Sequence, residues 1–145
     1  MECPCMRLYQ IQTEWRQAQR ALRAADLLQA HDLTDDAISR AYYAMMHAAK
    51  AALLFQEAIS ESHGAVRRLF GQVLIQTGEI EREWASLLTR AYDRRVIADY
   101  GSDIVFDTEA MAQLVHDAHR FVERITRYLT AKDVPLQPGG EGPSA

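Results

Sequence analysis

Arg95 and Asp99 stand one helical turn apart at the end of an apolar stripe formed by Ile80, Trp84, Leu87, Leu88 and Ala91. The face that should meet the core therefore ends in a guanidinium and a carboxylate. Charged side chains are rarely buried unless paired, and a spacing of four lets these two pair with each other. Such a pair at the floor of a cleft is a candidate site for a phosphate or a nucleotide. The same pair could instead be a structural ion pair closing the end of a helix bundle. Tyr100 follows directly.

A second set is Arg40, Tyr43 and His47, spaced by three and four so that they share one face of a helix. Polar groups on an otherwise apolar helix need partners. Either they bond to neighbouring backbone and cap the core, or they project into a cleft shared with Arg95 and Asp99. His63 opens a further helix, whose unpaired amides and dipole suit an anion; there it could hold phosphate or donate a proton, or simply lie in a surface loop. The expectation is that Arg95, Asp99, Tyr100, His47, Tyr43, Arg40 and His63 converge on one cleft, the first two with His47 and His63 in catalytic positions and Arg40, Tyr43 and Tyr100 in binding positions.

Other chemistries find little support. His116 and His119 are three apart, but no His-Glu-x-x-His pattern accompanies them. Cys3 and Cys5 are the only cysteines, too close together and too near the terminus for a structural zinc site. No glycine-rich phosphate loop, nucleophile elbow or Cys/His pair is present. No metal and no cofactor are expected. A net charge of −4 argues against a general nucleic-acid scaffold but leaves room for a small basic cleft. The cations are nearly all Arg, with Lys only at 50 and 132, and Arg grips phosphate in a planar, bidentate way that Lys cannot. No apolar run approaches the roughly 20 residues that span a bilayer, and residues 1–6 lack the basic-then-apolar pattern of a signal peptide. A cytoplasmic location without membrane contact is expected.

The elements that must position these residues are helices. Five stretches carry a 3.6-residue apolar period and none alternates as a strand would. The first is expected over 13–30 with Thr13 as its cap, the second after Leu33 to about 56 with Thr34 or Asp35 as its N-cap, and the third over 64–77, capped by Ser62 and closed by a left-handed Gly78. The fourth spans 79–100. The fifth starts at Asp107 or Thr108 after a loop at 102–106. The second is apolar nearly all round, so it should be the central, buried helix. Short links favour antiparallel neighbours, giving an all-α, antiparallel up-and-down bundle of about five helices. Residues 1–10 form an N-terminal extension and 11–132 the bundle. Residues 133–145, rich in Pro and Gly, form a disordered tail. Tyr42, Met46 and Phe55 lie on different faces of the second helix, which suggests a homodimer.

Three blocks resemble one family. Residues 35–54, Asp-Asp-Ala-Ile-Ser-Arg-Ala-Tyr-Tyr-Ala-Met-Met-His-Ala-Ala-Lys-Ala-Ala-Leu-Leu, look like the central helix of prokaryotic HEPN-domain proteins. Residues 61–70, Glu-Ser-His-Gly-Ala-Val-Arg-Arg-Leu-Phe, resemble the next block. Residues 91–101, Ala-Tyr-Asp-Arg-Arg-Val-Ile-Ala-Asp-Tyr-Gly, resemble the third, in the subgroup ending Arg-x-x-x-Asp-Tyr. The resemblance implies an antiparallel bundle that commonly dimerises and binds nucleotide or RNA. It also implies a toxin–antitoxin-like pairing with a small nucleotidyltransferase. Active relatives are metal-independent endoribonucleases carrying Arg-x(4–6)-His late in the chain, where Arg steadies the phosphate and His moves the proton. Arg95 matches that Arg; the His is absent, and Asp99 and Tyr100 stand in its region. His47 or His63 would have to supply the imidazole. A binding module, an endoribonuclease toxin and a purely structural dimerisation module are the three functions these residues leave open.

Overall fold

The computed structural model describes residues 4–58, 62–100 and 108–136, with the side chains of Pro4 and His63 outside that description. The chain forms an all-α, antiparallel bundle: α1 (Pro4–Ala30), α2 (Thr34–Phe55), α3 (His63–Leu69), α4 (Arg82–Tyr100) and α5 (Thr108–Ala131). No strand occurs among the described residues. Cross-helix contacts show the directions. Arg7 meets Glu57 and Glu14 meets His47, while Tyr43 meets Arg95 and Ser39 meets Asp99, so α2 runs against both α1 and α4. Trp15 donates to Thr126 at 2.9 Å and Asp26 meets His119 at 2.9 Å, so α1 runs against α5.

α2 is the central helix. Twelve of its side chains are buried, including Tyr42, Met45 and Met46, with α1 and α5 as its main neighbours and α4 completing the wrap. Its seven buried alanines let those helices approach closely, and Ala is also the best helix former. Thr34 is its first helical residue rather than its cap: Leu33 occupies that position with no side-chain hydrogen bond. Asp35 and Asp36 instead favour the start through the helix dipole. All-round apolarity is satisfied within one chain. Tyr42 and Met46 are buried in the protomer, and Phe55 packs edge-on against Tyr128 at 6.0 Å. These three residues therefore supply no argument for a second copy.

α1 begins nine residues before Thr13. Pro4 is tolerated in a first turn because its missing N–H would have no helical partner, and Ile11 is buried while Leu8 packs against the core. Ser62 does cap α3, its Oγ accepting from Ala65 N at 3.1 Å. α3 then widens into a π-helical stretch at Phe70–Ile75, where Gln76 N donates to Gly71 O. Gly78, at φ 83°, ends it in the left-handed region expected of a glycine. Ile80 is buried before α4 starts at Arg82. Past α5 the chain stays on the core: Asp133 turns it at φ 62°, Val134 and Leu136 are buried, and Gln12 Nε2 donates to Pro135 O at 2.6 Å. Residues 133–136 are therefore packed rather than part of the expected tail; the residues beyond 136, and the expected loop at 102–106 with its Asp107 cap, lie outside the described residues. None of the described helices is long and apolar enough to cross a membrane.

Candidate functional site

Arg95 is held where α4 passes α2. Its Nη2 donates to the Tyr43 hydroxyl at 2.8 Å. Its Nε lies 3.2 Å from Asp99 Oδ2, one turn along α4. That N–H is not aimed at the carboxylate and makes no hydrogen bond, so the contact is an ion pair and not an aligned, bidentate clamp. Ser39 of α2 donates to the other carboxylate oxygen of Asp99 at 3.4 Å. The side chains of Arg95 and Asp99 are 23% and 32% exposed. Arg95 Nε itself is buried, and the pair is consistent both with a structural contact closing the end of the stripe and with a site for an anion.

The surroundings are aromatic and cationic. The Tyr43 ring lies between two guanidiniums, Arg40 at 4.6 Å and Arg95 at 5.0 Å from its centroid. Behind it, Tyr42 is fully buried beside Tyr92 at 5.8 Å. Burial pushes the Tyr42 hydroxyl above its ordinary pKa, and the nearby Arg67 and Arg95 charges oppose that shift without cancelling it. Tyr42 therefore stays protonated. Arg67, brought in by α3, stacks over the Tyr92 ring at 3.6 Å. Two helices and the end of a third thus bring Arg40, Arg67 and Arg95 around a tyrosine cluster with Asp99 as the acid paired to it.

Four of the residues singled out in the sequence, Arg95, Asp99, Tyr43 and Arg40, form one connected set. His47 turns to the other side of α2. Its Nδ1 lies 2.7 Å from Glu14 Oε1 on α1, and it borders a groove of about 220 Å³ that Arg40 also lines, with Gln17, Arg20, Ala21 and Ala24. Arg40 is the link between the two places. Tyr100 is 81% exposed at the end of α4. His63 is the first residue of α3, and its side chain lies outside the described residues. His119 pairs with Asp26 across to α1, and no three-residue group able to hold a metal exists among the described residues.

Sequence reasoning missed Glu14, Arg20, Ser39 and Arg67. Each reaches the site from a helix face with no signal of its own in the spacing. Only the burial of a polar stripe on α2 hinted that such partners had to exist.

The sequence profile of the HEPN domain matches residues 11–128. The chain is 32% identical over 117 residues to "Putative toxin MJ0142" of Methanocaldococcus jannaschii, covering 81% of this chain and 80% of that protein. It is 37% identical over 112 residues to "Putative toxin MJ0605" of the same organism, covering 77% and 83%. A protein of Gloeobacter violaceus named "UPF0332 protein glr0978" is 34% identical over 113 residues, covering 77% and 90%.

Proposed function

Since the chain belongs to the HEPN domain family, we propose that it is a toxin-like HEPN module that binds the phosphate of RNA or of a nucleotide at Arg95. We place it, as a homodimer, in a toxin–antitoxin-like pair with a nucleotidyltransferase partner. The observation that carries the reading is the state of Arg95. Tyr43 takes Nη2 and Asp99 attends Nε, while Nη1 has no hydrogen-bond partner among the described residues. The guanidinium is oriented before a ligand arrives, mostly buried but partly open to solvent, and backed by Arg40 across the Tyr43 ring. An arginine fixed in this way loses little freedom on binding an anion. The toxin names of two relatives support the coarser half of the reading.

Binding of a fluorescent single-stranded RNA and of nucleoside phosphates, at one fixed salt concentration, tests it. Arg95→Ala should weaken binding by roughly tenfold or more, the equivalent of one charge-assisted contact. Equal binding by wild type and variant would overturn the assignment of Arg95. Absence of any phosphate ligand would leave a purely structural module.

One observation favours a second reading, a metal-independent endoribonuclease. The Glu14–His47 contact orients an imidazole two turns from Arg40 on α2. In that reaction the ribose 2′-OH loses its proton to the imidazole and its oxygen attacks phosphorus. The P–O5′ bond breaks, the leaving oxygen takes a proton, and the products are a 2′,3′-cyclic phosphate and a 5′-OH end. Incubation with RNA in EDTA separates the readings. Cleavage lost in His47→Ala or in an Arg95 variant supports the enzyme, and no cleavage by partner-free wild type leaves the binding module.

A further inference from the structure

The groove between α1 and α2 has a composition that the Arg95 cluster does not explain. Arg20 projects from α1 and Arg40 from α2, on opposite walls of a space of about 220 Å³. Neither guanidinium has a carboxylate partner among the described residues; Arg40 touches only the face of the Tyr43 ring. Two unneutralised cations facing each other across a narrow groove repel. An anion between them would relieve that repulsion and satisfy donors from both helices.

The floor of the groove is prepared for the same ligand. His47 and Glu14 are 29% and 23% exposed, and Glu14 Oε1 lies 2.7 Å from His47 Nδ1. An ionised carboxylate only accepts hydrogen bonds, so the ring proton sits on Nδ1 and Nε2 is the ring's other polar atom. Gln17 adds an amide on the α1 wall, and Ala21 and Ala24 keep the entrance low enough for a compact group. The planar forks of Arg20 and Arg40 match phosphate or carboxylate oxygens, and the small volume excludes anything with a bulky body.

We infer that this groove is a second anion site, taking one phosphate group between Arg20 and Arg40 with His47 beneath it. It shares only Arg40 with the Arg95 cluster and depends otherwise on Glu14, Gln17, Arg20 and His47. The phosphate could belong to a mononucleotide or to the backbone of a single-stranded RNA; the chemistry recognised is the same.

The imidazole carbon–proton signals of His47 in NMR of the full chain report on the groove directly. Titration with inorganic phosphate, against sodium chloride at matched ionic strength, should move them saturably, and chloride should not. Arg20→Gln, an exposed position that leaves the core untouched, should raise the apparent Kd by roughly tenfold. Arg95→Ala should leave the His47 response in place, which separates this site from the proposed one at Arg95. Adenosine monophosphate and a single-stranded RNA dodecamer, used in turn, identify the source: the tighter ligand by the same signal is the one the groove serves. No saturable His47 shift in wild type with any of the three probes, or an unchanged Kd in Arg20→Gln, would overturn the inference, whatever Arg95 itself does.

Discussion

Asp99 competes with any phosphate for the Arg95 guanidinium, because both approach the same charge and Asp99 already lies 3.2 Å from Nε. Asp99→Asn should therefore strengthen binding of a phosphate ligand several-fold while keeping the side chain's shape and its contact with Ser39. Tyr43→Phe should do the opposite: it removes the hydroxyl that takes Nη2 and frees the guanidinium to swing, while preserving the ring between Arg40 and Arg95. Anisotropy of a labelled RNA reads both, and an Asn variant that binds more weakly than wild type would show that Asp99 contacts the ligand itself. The spacing of Arg95 and Asp99 made their pairing legible, since it is set by the helix period alone. The placement of Arg40 and Tyr43 on one face of α2 was legible for the same reason. That His47 pairs with Glu14 was not, because the partner of a side chain on another helix depends on how the helices pack, and no local pattern encodes it.

At the scale of elements, polar contacts join α4 to α5 beside the Trp84–Phe121 ring contact at 6.3 Å, and two of these make testable claims. Asp117 of α5 is 3% exposed and is met by Gln113 at 3.0 Å, Arg120 at 3.5 Å and Arg90 of α4 at 3.8 Å. Asp117→Ala removes the shared acceptor while its exposed donors regain water, and should cost about 1 kcal/mol, read as a lower urea midpoint at unchanged slope. Glu81, just before α4, accepts from Arg124 of α5 at 2.9 Å and from Trp84 Nε1 at 2.9 Å. The Arg124 hydrogen bond is the largest of the forces that hold its carboxyl at about 2, below the ordinary 4.5. A depressed folded-state pKa means stability that is present above the unfolded value and fades as pH falls from about 4.5 toward about 2. Glu81→Gln should therefore flatten the loss of helical circular dichroism across that window; an unaltered acid limb would show that the pair does not contribute. The caps behaved as their chemistry suggests at Ser62 and Gly78. The early start of α1, the π-helical stretch after α3 and the buried Val134 and Leu136 were not legible. Each is decided by burial against other helices, which overrides weak local preference.

The whole molecule poses the question of the second copy. The apolar faces of α2 are covered within the chain, by α1, α5 and α4. A homodimer must then be built from residues left outside, and among the described residues the large apolar side chains still exposed are Met6, Tyr9, Leu27, Leu33, Ile97 and Tyr100. Ile97 and Tyr100 are three apart, so they share one side of the last turn of α4, roughly opposite the side on which Arg95 and Asp99 meet α2. A dimer that buried them would bring the ends of two α4 helices together and leave each Arg95 turned toward its own α2. A stable interface of this kind needs about 800 Å² from each partner, more than two side chains supply, so the surface around them would have to take part. Light scattering should then give about twice the 16.4 kDa of the chain. Ile97→Asp should shift the mass toward a monomer, because an unpaired charge placed in an apolar interface is costly. The same substitution should leave the fold intact, since Ile97 is 36% exposed in the protomer. A wild type that stays monomeric up to the concentrations at which it binds ligand would mean that each Arg95 cluster works alone, with its own α2 and α4 as the only walls of the site.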